Sequence, residues 1–252
     1  MLGPLVTALR TLTILPIPGK DTDDFSKSLL FFPLAGGIIA LVAYPFFLLC
    51  HLIPQQLHGV GGLLFTLTSI AITGGLHIDG IADVADGFFG GRNKETILKI
   101  MKDSRIGTFG GIAIVMDLLF RFVLYEFIIT SLTYVPVLLS MIVSRSAQAI
   151  VLSSCSYARG PEGGTAAPFS GSRSKIPLLF VIVTVMYGGF LFFFKPEPLL
   201  ISLVTVIVTV CGAVWYYYRR IGGITGDCIG SVNEIAEILF LMPWCVCSSI
   251  SG

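Results

Sequence analysis

The sequence predicts an all-α polytopic membrane bundle, and three observations predict it. Hydrophobic residues make up 54% of the 252 and charged residues only 12%, with a mean hydropathy of +0.89, too little polar surface for a soluble domain of this length. Apolar runs long enough to cross a hydrocarbon core of about 30 Å recur along the chain. The basic residues collect in alternate connections, the pattern of a chain threaded back and forth through a bilayer. The formal net charge of +1 gives no reason to expect a nucleic-acid partner, because what matters is where the charges fall. The whole chain, 1–252, reads as one integral membrane domain.

In chain order, residues 1–20 are apolar but short and are interrupted by Pro4, Pro16 and Pro18. They lack a basic n-region and a small-residue cleavage site, so they read as an amphipathic or re-entrant element at the cytoplasmic interface. Leu29–Ile53 is the first crossing, with Pro33, Gly36, Gly37 and Pro45 as kink and close-packing positions. Val60–Thr73 returns and is short. Further crossings are expected at Ile112–Ile129, Val135–Ser153, Ile176–Phe194, Leu199–Tyr218 and Val232–Ile250, about seven in all. Arg92, Lys94, Lys99, Lys102 and Arg105 share one connection, Arg159, Arg173 and Lys175 a second, and Arg219 and Arg220 a third, against Lys195 alone on the opposite side. The N-terminus and these loops are therefore expected in the cytoplasm and the C-terminus outside. Trp215 and Tyr216–Tyr218 fit an interfacial belt on the same side.

Residues 74–110 break the apolar pattern with carboxylates, a histidine, basic residues and glycines. On a helix, Asp79, Asp83 and Asp86 are i, i+4 and i+7 and fall within roughly 60° of one another. Carboxylates on one stripe repel, and the flanking Ile78, Ile81, Val84, Phe88 and Phe89 make their neighbourhood apolar, where unpaired charge is expensive. A hard divalent cation removes the conflict, and Mg²⁺ commonly sits between protein carboxylates and substrate phosphates. Arg92, Lys102 and Arg105 suit a diphosphate bridged by that ion; Lys94 and Lys99 read as topology determinants. His77 would lie away from Asp79 on a continuous helix, but could serve as base or phosphate contact if Gly74 and Gly75 break the helix.

Gly-Gly-Leu-His-Ile-Asp-Gly-Ile-Ala-Asp-Val-Ala-Asp-Gly, with Gly90-Gly91-Arg92 and Met101-Lys102-Asp103-Ser104-Arg105-Ile106-Gly107-Thr108-Phe109-Gly110, resembles the cobalamin synthase family, the membrane-bound adenosylcobinamide-GDP ribazoletransferases. Leu12-Thr13-Ile14-Leu15-Pro16-Ile17-Pro18, the loop at Tyr157-Ala158-Arg159 and the loop Gly222-Gly223-Ile224-Thr225-Gly226-Asp227 resemble other phrases of that family. The resemblance implies transfer of α-ribazole, or its 5′-phosphate, onto adenosylcobinamide-GDP with release of GMP, in the prokaryotic inner membrane with the active site on the cytoplasmic face. It implies Mg²⁺ on Asp79, Asp83 and Asp86, with Asp103 or Asp227 as a further ligand. It also implies substrate contacts from Arg92, Lys102, Arg105, Arg145, Arg159 and Thr225, with a carboxylate or His77 taking the proton. A homo-oligomer is compatible with it.

Within the spans, Asp117 and Arg121 are i, i+4 and are expected to neutralise each other. Arg145 has no local counter-ion and is expected to face anionic groups, while Glu126, Glu234 and Glu237 read as interfacial or packing charges. His51 and His58 read as hairpin-surface residues, and the cysteines, without CxxC spacing, as packing residues rather than disulfides or a zinc site. Two rivals are a CDP-alcohol phosphotransferase-like enzyme, whose aspartate spacing is missing, and an ion-coupled transporter, for which no inverted repeat is evident.

Overall fold

In a computed structural model the described residues are 2–159, 164, 166–169 and 196–250. The expected crossing Ile176–Phe194 lies outside them, as do residues 160–163 and Thr165 of the glycine-rich loop. The described elements are helices: α1 (Gly3–Leu12), α2 (Phe32–His51), α3 (His58–Thr73), α4 (Leu76–Gly90), α5 (Lys94–Ile100), α6 (Thr108–Thr130), α7 (Val135–Ser154), α8 (Pro196–Ile221) and α9 (Gly226–Ile250). Short 3₁₀ turns stand at Phe25–Phe31, Gln55–Leu57 and Ala167–Phe169. The all-α polytopic bundle is what the structure shows.

Among the described residues, Phe25–His51, Gln55–Thr73, Val135–Ser154, Glu197–Ile221 and Gly226–Cys247 are long and apolar enough to cross a membrane. The helix α6 has 23 residues and carries Asp117, Arg121 and Glu126. The helix α9 begins at Gly226, six residues before the expected Val232, because Asp227 and Glu234 interrupt the hydropathy without interrupting the helix. The opening segment holds α1, whose Val6, Ala8, Leu9 and Leu12 are buried against α2 and the turn before it.

The core forms around α7, which is buried along almost its whole length between α2 and α9. The helices approach closely where side chains are absent. A Cβ on Gly36 would collide with the Met141 carbonyl of α7, and one on Gly62 would lie 3.0 Å from the Phe122 carbonyl of α6. In lipid, where tails are as apolar as leucine, such small-residue contacts supply the packing that holds helices together.

The core is also charged. Arg121 bonds Asp117 at 2.9 Å, Glu237 at 2.7 Å and Glu234, while Arg145 bonds Glu237 at 2.6 Å. The Tyr125 hydroxyl donates to Glu237 at 3.0 Å. The expected Asp117–Arg121 pair is present, but Glu234 and Glu237 are core ion-pair partners rather than interfacial charges. They lie i, i+3 on α9, so one helical face meets the arginines of α6 and α7. His51 and His58 also leave the hairpin surface: their Nδ1 atoms lie 2.8 Å from the Ile129 carbonyl and 3.1 Å from Thr130 Oγ1. Cys50, Cys155, Cys228 and Cys245 are buried, and no disulfide links the described cysteines.

Candidate active site

The ends of α3, α7 and α8 and the starts of α4, α6 and α9 meet at one end of the bundle. Gly74 and Gly75, at φ +65° and +72°, end α3 and redirect the chain into α4, a left-handed pair that glycine adopts without steric penalty. The opening segment is pinned beside this bend by the Ile14 N–H, which donates to the Ile72 carbonyl at 3.0 Å. The break that the two glycines suggested in sequence is therefore real.

From the bend α4 runs across α9, and the two backbones touch at Gly80 and Gly230. A Cβ on Gly80 would lie 2.8 Å from the Asp227 carbonyl and 3.1 Å from Gly230 Cα. Only glycine permits this approach, and it places the Asp79–Asp83 turn of α4 against the first turn of α9, which carries Asp227. A second backbone contact fixes Asp227 from the other side. The Ala158 N–H donates to Ile224 at 2.8 Å and the Ile224 N–H to Ser156 at 3.0 Å. The two loops are thereby zipped together, and Arg159 reaches Asp227 at 2.9 Å. Thr225 Oγ1 lies 3.3 Å from the same carboxylate. Arg159, Thr225 and Asp227, distant in sequence from α4, thus converge with its acidic stripe.

The remaining acids have different settings. Asp86 accepts from the Gly107 N–H at 2.7 Å and the Gly110 N–H at 2.8 Å, so both its oxygens cap the N-terminus of α6, where a negative charge also meets the positive end of the helix dipole. Asp103 is held by Arg105 at 2.6 Å in the connection between α5 and α6, and that guanidinium's hydrogen bonds lower its carboxyl to about 2. Arg92, Lys102 and Arg105 are exposed beyond the C-terminal end of α4.

Arg145 faces Glu237 inside the bundle and is 2% exposed. The counter-ion absent from its own helix comes from α9, so the anionic group it faces in the structure is Glu237. His77 is buried, its Nδ1 3.5 Å from Gln148 Nε2. Two residues that the sequence reading passed over also belong to this region. Gln148 contacts His77, and Arg220 donates to the carbonyls of Phe88 at 3.1 Å and Gly91 at 2.8 Å, closing the C-terminal end of α4, where a cation is favoured. The only sequence signal for Arg220 was its position in a basic, aromatic helix end.

A cavity of about 1020 Å³ opens beside the bend, lined among others by Phe25, Phe32, His77, Asp79, Gln148 and Asp227. Asp83, on α4 and outside the apolar crossings, has its carboxyl pushed up to about 7, first by burial and then by Asp227 and Asp79, against a smaller lowering by Arg159. Burial makes its charged form costly, and the neighbouring carboxylates add to that cost. Among the described residues, no three acidic, imidazole or thiol groups are already arranged to grip one ion. Carboxylates that repel and stand ready in ones and twos still fit Mg²⁺, which takes one or two protein carboxylates and completes its octahedron with water and phosphate oxygens.

Fold and site together define a class: a polytopic, all-helical membrane protein that gathers carboxylates and arginines around a helix crossing at one end of the bundle. Within that class, the chain belongs to the cobalamin-5-phosphate synthase family, whose model it matches over residues 4–245. It is 38% identical to the adenosylcobinamide-GDP ribazoletransferase of Chlorobaculum parvum, over 94% of this chain and 93% of that protein. It is 37% identical to the like-named protein of Chlorobaculum tepidum, over 94% and 92%. It is 33% identical to that of Clostridium botulinum, over 88% of each. No solved structure matches the chain.

Proposed function

We propose that this chain is an adenosylcobinamide-GDP ribazoletransferase, joining α-ribazole or its 5′-phosphate to adenosylcobinamide-GDP and giving adenosylcobalamin or its 5′-phosphate and GMP. Family membership supports the overall reaction. The observation that carries the site is the crossing at Gly80 and Gly230, which sets Asp79 and Asp83 of α4 against Asp227 of α9.

In this reading one or two of Asp79, Asp83 and Asp227 would hold Mg²⁺, which would supply charge neutralisation at the diphosphate. Asp86 positions the start of α6, and Asp103 orients Arg105. Arg159 stands next to Asp227 and, with the exposed Arg92, Lys102 and Arg105, offsets phosphate charge. The acceptor hydroxyl oxygen bonds to the cobinamide-side phosphorus as the phosphoanhydride bond breaks. GMP leaves with the bridging oxygen, and the hydroxyl proton passes to a carboxylate of the cluster. The protein's work is chiefly positioning and electrostatic stabilisation. In this reading the protein sits in a prokaryotic inner membrane, and the excess of basic residues in its loops supports a cytoplasmic side for this end of the bundle.

The test is GMP release by purified protein in liposomes with both substrates, with and without Mg²⁺, for wild type and Asp83→Ala. Release that needs both substrates and Mg²⁺ and disappears in the variant supports the reading. Well-folded wild type that releases no GMP with any common divalent metal overturns it.

A further inference from the structure

The acidic stripe on α4 divides two unlike environments. Toward its C-terminal end stand Arg92, Lys102 and Arg105, all exposed. Toward its N-terminal end lies the cavity of about 1020 Å³, large enough for a nucleoside-sized ligand. Its wall is aromatic on one side: the Phe169 ring lies 5.4 Å from that of Phe25 and 6.1 Å from that of Phe32. Among the described lining residues, Arg10 is the one lysine or arginine. That guanidinium is already bonded to Asp21 at 2.8 Å and to the carbonyls of Ile17 and Gly19 at 2.9 and 3.0 Å. The acids Asp79 and Asp227 line the same space. Away from the carboxylate edge where the metal would stand, a diphosphate would find no unpaired lysine or arginine among the described lining residues, whereas an uncharged heteroaromatic ring would meet apolar and aromatic walls.

Hydrogen-bonding capacity remains on one wall. His77 and Gln148 line the cavity, are 3% and 1% exposed, and His77 Nε2 and Gln148 Oε1 have no partner. Buried polar atoms of this kind are normally satisfied, and a ring nitrogen or exocyclic group of a base is the complement they lack.

We propose that this cavity is the acceptor site: it takes the uncharged heteroaromatic base of the nucleoside, with His77 and Gln148 as base-contacting residues, while the guanosine diphosphate part of the donor lies on the far, basic side of the aspartate stripe. The proposal rests on the transferase reading above and deepens it. The two substrates then approach the carboxylates from opposite ends of α4, and the acceptor's hydroxyl is delivered past Asp79 and Asp227.

The experiment is steady-state kinetics of the full-length protein in detergent, varying each substrate in turn, for wild type, Gln148→Leu and the cavity-filling Ile114→Trp on α6. The expected result is a rise of roughly tenfold or more in KM for α-ribazole, the scale of a lost base contact or a narrowed pocket, with KM for adenosylcobinamide-GDP changed less than about twofold. A variant-independent arm uses GDP as a dead-end inhibitor of wild type, expected to compete with adenosylcobinamide-GDP and not with α-ribazole. Variants that raise the donor's KM instead, or GDP that competes with α-ribazole, overturn the acceptor site while leaving the transferase reading intact. If a variant is not monodisperse, the GDP arm decides. Wild type that forms no product sinks the transferase reading and this inference with it.

Discussion

Replacing Gly80 by alanine should damage activity far more than stability, and the crossing of α4 and α9 gives the magnitude. The new Cβ would lie 2.8 Å from the Asp227 carbonyl oxygen and 3.2 Å from Asp227 Cα, both backbone atoms that cannot rotate away. To reach ordinary contact at 3.4 Å, the helices must separate by about 0.6 Å. Overpacking of this kind typically costs about 1–3 kcal/mol, partly offset by the better helix propensity of alanine, about 1 kcal/mol. The shift acts on the spacing between Asp79, Asp83 and Asp227, and displacements near 1 Å can cost roughly 100-fold in rate. GMP release and thermal unfolding, measured on the same detergent preparation, should show kcat down by about ten- to 100-fold with the protein still folded. Gly212→Ala on α8, where a Cβ meets nothing within 4 Å, is the matched control and should keep its rate. A Gly80→Ala protein with wild-type kcat and both wild-type KM values would refute the claim that this crossing sets the carboxylate geometry.

The raised Asp83 carboxyl makes a pH prediction. Its folded value of about 7 exceeds the ordinary 3.8, so the metal-free folded state binds the extra proton between those values, and stability falls as pH rises through that window. Mg²⁺ should therefore raise the melting temperature more at pH 8 than at pH 5, and Asp83→Asn should flatten the difference; equal Mg²⁺ shifts at both pH values would count against this account. Arg121→Met should lower stability by about 3–5 kcal/mol, because it strands Asp117 and Glu234 and leaves Glu237 to Arg145 alone, a loss read from the denaturation midpoint and yield of monodisperse protein. Asp86→Ala should cost about 1 kcal/mol through the lost cap on α6, with a drop in GMP release as the Asp103–Arg105 connection shifts; an unchanged melting curve would remove the capping role.

The amino-acid sequence by itself determined the class and most of the element list. Hydropathy averages over many residues, so five of the expected crossings and the interruption at Gly74–Gly75 were legible without knowing what any side chain touches. The aspartate stripe was legible too, since i, i+4 and i+7 share a helix face whatever the tertiary context. The partner of each charge was not. Arg145 lacks a neighbour of opposite charge on α7 and finds Glu237 on α9, and Asp86, indistinguishable from Asp79 and Asp83 by spacing, is turned to the N–H groups opening α6. Asp103 is likewise drawn to Arg105 beside it, while Asp227 reaches the stripe only because Gly80 and Gly230 let two backbones touch. Periodicity along a chain fixes which face a residue occupies. Which helix that face meets is set by long-range packing, and only the tertiary structure decided it.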